Sequence, residues 1–154
     1  MSRIVYKEQL SDSVVRMDLE APEIARKRRP GQFLVLKVNE RGERIPLTIV
    51  DSDGEKGTVT IIYQIVGKTT ALMSELAVGD EIQDVQGPLG NPTEIENYGH
   101  VVCIGGGVGV GVIYPITRAL KDAGNRVTSI IGARNRSLII LEEEMRAASD
   151  KLVV

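Results

Sequence analysis

The chain has 154 residues, 42% hydrophobic and 26% charged, a balance that suits a soluble globular protein of one domain or two small ones. Lys plus Arg number 19 and Asp plus Glu 21, so a net charge of −2 offers little to a polyanion and argues against nucleic-acid binding. The lone cysteine, Cys103, excludes an internal disulfide or a cysteine-ligated cluster, and the lack of a signal-peptide core or of an apolar run of ~18 residues predicts a cytoplasmic protein with no membrane span.

The first half reads as strands. Short runs rich in β-branched residues at 4–10, 14–19, 33–38, 45–50, 58–66 and 81–85 are separated by turn signals such as Ser11-Asp12, Pro30-Gly31, Asn39-Glu40-Arg41-Gly42, Asp51-Ser52-Asp53-Gly54 and Gly79-Asp80. Six strands at this spacing predict a small antiparallel Greek-key β-barrel. Arg26-Lys27-Arg28-Arg29, ahead of Pro30, reads as a solvated loop, with docking of an acidic redox partner as its sharper alternative. One helix interrupts the strands: Thr69 caps it, and Leu72, Met73 and Leu76 share a face. Gly87-Pro88-Leu89-Gly90-Asn91-Pro92 is a breaker cluster, and it divides the chain into domains at 1–97 and 98–154.

The second half changes period. His100-Val101-Val102-Cys103-Ile104 is a buried strand, with Cys103 as a small core residue, and it runs into Gly105-Gly106-Gly107-Val108-Gly109-Val110-Gly111. Ile113, Ile116, Leu120 and Ala123 then recur at helical spacing until Gly124-Asn125 stops the helix. A strand over 126–131, a helix over 138–148 with Glu142, Glu143 and Glu144 on its solvated side, and a strand from Asp150 complete a β-α-β-α-β order. That order predicts a parallel sheet with right-handed crossovers, about half of a doubly wound dinucleotide domain. The fold class is therefore α+β: a barrel followed by a partial α/β nucleotide-binding unit. The chain reads as a fragment, or as one whose missing layer comes from another chain, which leaves a route to homo-oligomers through the incomplete unit.

The glycine turn carries the chemistry. A strand entering a helix through glycines presents unpaired N–H groups at the positive end of the helix dipole, and without Cβ atoms a phosphate can approach closely. The strict G-x-G-x-x-G spacing is not met, because the final position falls on Val110 or Tyr114, and no acidic residue follows the second strand. A plain strand-to-helix connection is the alternative reading of the turn alone.

The barrel and glycine turn together resemble the ferredoxin–NADP reductase superfamily. Arg44-Ile45-Pro46-Leu47-Thr48 looks like its flavin motif, Tyr63-Gln64-Ile65-Val66-Gly67-Lys68-Thr69-Thr70 like its flavin-phosphate segment, and Gly87-Pro88-Leu89-Gly90 like the turn that closes the barrel. Pro46 with Gly-Lys-Thr-Thr, and Ile131-Gly132-Ala133-Arg134, resemble one branch. That branch holds the electron-transfer subunit of dihydroorotate dehydrogenase, the small subunit of NADH-dependent ferredoxin:NADP oxidoreductase, and similar sulfide dehydrogenase and hydrogenase subunits.

The resemblance implies a flavin-dependent electron-transfer subunit that carries FAD, exchanges hydride with NAD or NADP, and passes electrons singly to an iron–sulfur carrier. Its partner would be a larger redox subunit or a ferredoxin-like protein, and its cluster would lie in a longer form of the protein or in that partner. A flavin- or nucleotide-holding module without catalysis of its own is the alternative. Arg44 offers a guanidinium fork to the flavin pyrophosphate, a surface ion pair being its other reading. Pro46 and Leu47 pack the ring, and the Thr48 hydroxyl reaches its redox-active edge as the one catalytic candidate. Ile62, Tyr63 and Gln64 lie against the flavin, and Gly67, Lys68, Thr69 and Thr70 hold phosphate at a helix start. Gly106, Gly107, Val108 and Gly109 face the nicotinamide nucleotide. Arg134 sits where an acidic residue selects NAD, so both nicotinamide cofactors stay open. His100, the only histidine, reads as structural, and no Ser/His/Asp set or carboxylate pair supports hydrolysis.

Overall fold

Alternate apolar residues of the central strands point into one core, as Val15, Met17 and Leu19 do beside Val59, Ile61 and Tyr63. The computed structural model describes residues 1–154. In chain order this half holds β1 (Ser2–Gln9), β2 (Val14–Glu20), α1 (Pro22–Lys27), β3 (Phe33–Lys37), β4 (Arg44–Thr48), β5 (Asp51–Asp53), β6 (Thr58–Gln64), α2 (Lys68–Glu75), β7 (Glu81–Ile82) and β8 (Asp84–Leu89). The strands pair antiparallel in two sheets, β5-β6-β2-β1-β7 and β4-β3-β8, around a core of 16 buried residues.

Six strands are predicted here and eight are present, for one reason. The chain crosses between sheets inside two of the predicted runs, and β5 falls on Asp51-Ser52-Asp53, which the sequence marks as a turn. At Ile49 and Val50 the backbone N–H groups go to Gln32 (3.2 Å) and Thr60 (2.9 Å), so β4 stays with β3 while β5 joins β6. Likewise the Gln83 N–H goes to Val38 (3.1 Å), between β7 on β1 and β8 on β3.

The basic run at 26–29 is also not one solvated loop. Pro22 opens α1 at its first turn, Ile24 and Ala25 bury one side, and Arg26 and Lys27 stand in the last turn, both reaching back to Glu23.

The second half holds β9 (His100–Gly106), α3 (Gly109–Asp122), β10 (Arg126–Gly132), a 3-10 turn (Arg136–Leu138), α4 (Glu142–Ala147) and β11 (Lys151–Val153). Its sheet is parallel in the order β11-β10-β9. The helix predicted over 138–148 is confined to Glu142–Ala147, because Leu141 adopts a left-handed conformation (φ 57°) that a right-handed helix cannot continue. Asn125 ties the sheet to the segment before it: its Oδ1 accepts from the N–H groups of Tyr98 (2.7 Å) and Gly99 (3.1 Å), and its Nδ2 donates to Glu96 O (2.7 Å) and Leu120 O (2.8 Å).

One face of this sheet is covered by α3, and Val127, Ser129 and Ile131 are buried. On the other face Val102, Ile104, Ile130 and Val153 are exposed, Ile104 by 67%. No helix is long and apolar enough to cross a membrane. The halves meet in a cluster that joins Val14, Val50 and Ile62 of the first to Val110, Ile131, Ile140 and Met145 of the second.

Two glycines near this junction behave differently. A Cβ on Gly111 would lie 3.5 Å from Val50 Cγ2, an ordinary contact, whereas one on Gly105 would meet Ile113 Cδ1 at 2.7 Å and the Val110 Cα at 3.3 Å. Gly111→Ala should therefore gain about 1 kcal/mol of helix propensity and raise Tm by ~2–4 °C. Gly105→Ala should lose about 1–3 kcal/mol to overpacking. Thermal unfolding of both variants checks the pair, and a lowered Tm for Gly111→Ala would contradict it.

Candidate functional site: two clefts at the glycine turn

Where β6 meets the start of α3, two clefts open side by side. The first, of about 520 Å³, is walled by Ile45, Pro46, Leu47 and Thr48 of β4, by Ile62, Tyr63 and Gln64 of β6, by Val50, Val66 and Thr70, and by Val108, Gly109, Gly111 and Val112. The second, of about 530 Å³, is walled by Ser13, Val14 and Gln64 of the first half and by Gly106, Gly107, Val108, Gly132, Ala133, Arg134 and Leu138. Gln64 and Val108 belong to both. Each cleft has the size of a small-molecule site, and the first is mostly apolar with a few hydroxyls.

The second cleft lies at the carboxyl ends of β9 and β10. Gly106 pairs with Gly132, so two bare backbones face each other there. Gly107 turns the chain at φ +57° and its N–H goes to Gly132 O (2.9 Å). The first turn of α3 closes by short bonds, Val110 N to Gly107 O (3.3 Å) and Gly111 N to Val108 O (3.0 Å), which leaves the N–H groups of Val108 and Gly109 without an intrahelical partner. Gly109 walls the first cleft rather than the second.

Pro46, Leu47, Thr48, Ile62, Tyr63, Gln64 and Thr70 are brought together in the first cleft, and Gly106, Gly107, Val108 and Arg134 in the second. Arg44, Gly67, Lys68 and Thr69 wall neither. The Arg44 guanidinium is instead on Asp84 of β8 (Nη1 to Oδ2, 2.6 Å), spanning Lys37 of β3, with which both residues are in register. That bond holds the Asp84 carboxyl below its ordinary range.

The α2 cap also differs from the predicted one. Gly67 is the cap position, and Thr70 rather than Thr69 closes the turn, its Oγ1 accepting from the N–H groups of Val66 (2.9 Å) and Gly67 (3.1 Å). Ile45, Val50, Val66, Gly111 and Val112 wall the first cleft without having been singled out by their chemistry. Ile45 lies inside the flavin-like motif, and Gly111 and Val112 simply continue the glycine turn into its helix.

Tyr63 is the most unusual group present. It is 2% exposed and lines the first cleft, yet its phenolic oxygen is buried without a hydrogen-bond partner. Loss of solvation pushes its pKa up to about 12. No carboxylate, lysine, arginine or histidine lines that cleft.

The model of the oxidoreductase FAD-binding domain family matches residues 2–93. The chain belongs to that family. A Thermotoga maritima relative named dihydroorotate dehydrogenase B (NAD(+)), electron transfer subunit homolog, is 46% identical over 154 residues, covering 100% of this chain and 55% of that protein. The dihydroorotate dehydrogenase B (NAD(+)) electron transfer subunit of Bacillus caldolyticus is 34% identical over 144 residues, 90% of this chain and 56% of that one.

Among solved structures, that of NADH-dependent reduced ferredoxin-NADP oxidoreductase, described for flavin-based electron bifurcation, superposes with a TM-score of 0.96 at 44% identity, over 99% of this chain and 55% of that one. Ferredoxin-NADP+ reductase from Plasmodium falciparum shares the fold at 17% identity and a TM-score of 0.79, over 96% of this chain and 64% of that one. This chain thus spans about 55% of the length of its Thermotoga relative.

The buried phenol gives a test that needs no ligand. Tyr63→Phe removes an unsatisfied hydroxyl and should stabilise the ligand-free protein by about 1 kcal/mol. Because the folded-state pKa lies above the ordinary value, wild-type stability is intact below pH ~10 and falls as pH rises toward 12, and the variant should lose this part of the slope. Denaturant melts between pH 8 and 11.5 decide it; an unchanged slope in Tyr63→Phe would be the contrary result.

Proposed function

We propose that the chain is the flavin-holding part of an NAD(P)H-dependent electron-transfer oxidoreductase, with FAD in the first cleft and the nicotinamide nucleotide in the second. The observation that carries this reading is the shared wall: Gln64 and Val108 line both clefts, so groups seated in the two would meet there. The domains are read as 1–97 and 98–154, the first a Greek-key barrel closed by the two antiparallel sheets.

The first cleft fits a flavin on its own chemistry. Ile45, Pro46, Leu47, Val50 and Ile62 offer flat apolar packing, and the orphaned Tyr63 hydroxyl is a donor lacking the acceptor that a heteroaromatic ring edge or ribityl chain supplies. The Thr48 hydroxyl, on the same wall, serves the redox-active edge. Phosphates are assigned to the opening turn of α2, where Lys68, Thr69 and Thr70 have N–H groups beyond the intrahelical ladder. Thr70 contributes there through its backbone, since its hydroxyl is occupied by the cap. Arg44 immediately precedes Ile45 of the cleft wall and would exchange Asp84 for the pyrophosphate.

In the second cleft Gly106, Gly107 and Val108 present backbone to the nicotinamide nucleotide, with Gly109 next along on the side of the first cleft, and Arg134 favours an extra phosphate without excluding NAD. Bound FAD would supply the conversion between hydride transfer and single-electron transfer. The residues around it orient the two nucleotides, exclude water with Val66 and Val112 at the cleft, and bring no charged group against the ring. Electrons would pass to an iron–sulfur centre in a larger redox subunit, a ferredoxin-like protein or a longer form of this chain; relatives are named as electron transfer subunits and as a ferredoxin-NADP oxidoreductase. The basic side chains of α1 are a docking candidate for an acidic partner.

The test is the visible spectrum of purified protein reconstituted with FAD, before and after NADH or NADPH. A bound-flavin band that bleaches with one nucleotide supports the reading. Full FAD loading without bleaching leaves a holding module, and no loading at all refutes the assignment. Arg44→Ala should weaken FAD retention by about 2 kcal/mol while leaving riboflavin affinity unchanged, because only the dinucleotide carries the phosphates. Equal FAD affinity in mutant and wild type, by equilibrium dialysis, would remove Arg44 from the site.

A further inference from the structure

The two halves touch through apolar side chains, and those contacts have no preferred direction. Only one hydrogen bond or ion pair joins residues 1–93 to residues 98–154: Arg118 Nη1 of α3 to Asp51 Oδ1 of β5, at 3.3 Å. Its surroundings are built rather than incidental. The same Asp51 oxygen takes Arg28 Nη2 (3.3 Å) and its neighbour's Ser52 N–H (2.8 Å), while Arg28 Nε donates to Ser52 Oγ (2.6 Å). The Arg28 side chain is only 15% exposed, and burial pushes its guanidinium down from the ordinary arginine range. Asp51 is therefore held in place from the barrel side before α3 reaches it.

The position of Arg118 matters more than its strength. Gly111 and Arg118 are seven residues apart on α3 and so share a face. Gly111 sits against Val50 and Ile62, and Arg118 two turns later against Asp51, the residue after Val50. The first contact is apolar and non-directional, a backbone against methyl groups; the second is directional. The start of the helix carries Val108, which walls both clefts, and Gly109, Gly111 and Val112, which wall the first.

We propose that Asp51, clasped between Arg28 and Arg118, is the positioning device that sets the angle between the barrel and α3, and with it the approach of the second cleft to the first. Its consequence for turnover rests on the flavin and nicotinamide reading given above; the angle itself does not.

The experiment uses cysteines at Lys56 and Glu143, both exposed and one in each half, carrying spin labels, with native Cys103 buried. The distance distribution should be narrow in the parent protein, at least twofold broader in Arg118→Met, and narrow again in Arg118→Lys, which keeps a charge within reach of Asp51. In FAD-loaded protein Arg118→Met should keep the FAD Kd within twofold and slow flavin reduction at saturating nicotinamide nucleotide at least tenfold, with Arg118→Lys recovering most of it. An unchanged distance distribution in Arg118→Met overturns the clasp. A broadened distribution with an unchanged reduction rate overturns its role in positioning. If the parent protein binds no FAD, the flavin reading falls and the label distances alone decide the clasp.

Discussion

Both clefts depend on the seating of one helix. α3 starts in the glycine turn, lies on β9 and β10 through its apolar side, and meets β6 through Gly111. Gly111 faces Val50 and Ile62, and this seating of the helix brings Val108, Gly109 and Val112 into the barrel cleft. The same turn gives the second cleft a floor of backbone, where Gly106 and Gly132 are paired across the carboxyl ends of β9 and β10. Ligands of open parallel sheets bind at that edge, and here it abuts a second cleft instead of solvent. One strand-to-helix connection thus shapes two sites and their common wall.

The parallel sheet has an imbalance of its own. Its covered face holds Val127, Ser129 and Ile131, and its other face shows Val102, Ile104, Ile130 and Val153 to solvent. Parallel sheets are almost always covered on both faces. In the barrel half 16 buried residues form one core between the two antiparallel sheets.

Periodicity made most of this fold legible. The runs rich in β-branched residues at β1, β2, β3 and β6, the change to helical spacing at Ile113 and the Gly124-Asn125 stop all stand in the sequence, and each corresponds to an element of the structure. Information that depends on distant partners did not. Ile49 and Val50 are apolar and β-branched, so nothing local marks them as the point where a strand leaves one sheet for another. Arg44 and Asp84 are 40 residues apart and meet only because β3 lies between their strands. The start of α1 was readable in principle from Pro22 followed by Glu23, but four consecutive basic residues hid it. Thr69 and Thr70 are chemically identical, and only the turn geometry selects the second to close the turn at Gly67.

The character of the first cleft constrains what it can do. Its walls carry no side chain that titrates near neutrality, and the pKa of its one ionisable group, the Tyr63 phenol, is pushed up to about 12 by burial. A site meant for general acid–base work places a group of matched pKa within reach of the reacting atom. This one supplies hydroxyls, an amide and apolar surface, which can orient a ring and keep water out but cannot deliver or remove a proton at pH 7. Hydride or electron transfer between two bound rings makes no such demand, since its rate depends on their separation and angle. In a neutral cleft the remaining control is geometric. It falls to the elements that set how α3 lies on β6: an apolar contact at Gly111, and a doubly held carboxylate that fixes direction two turns along.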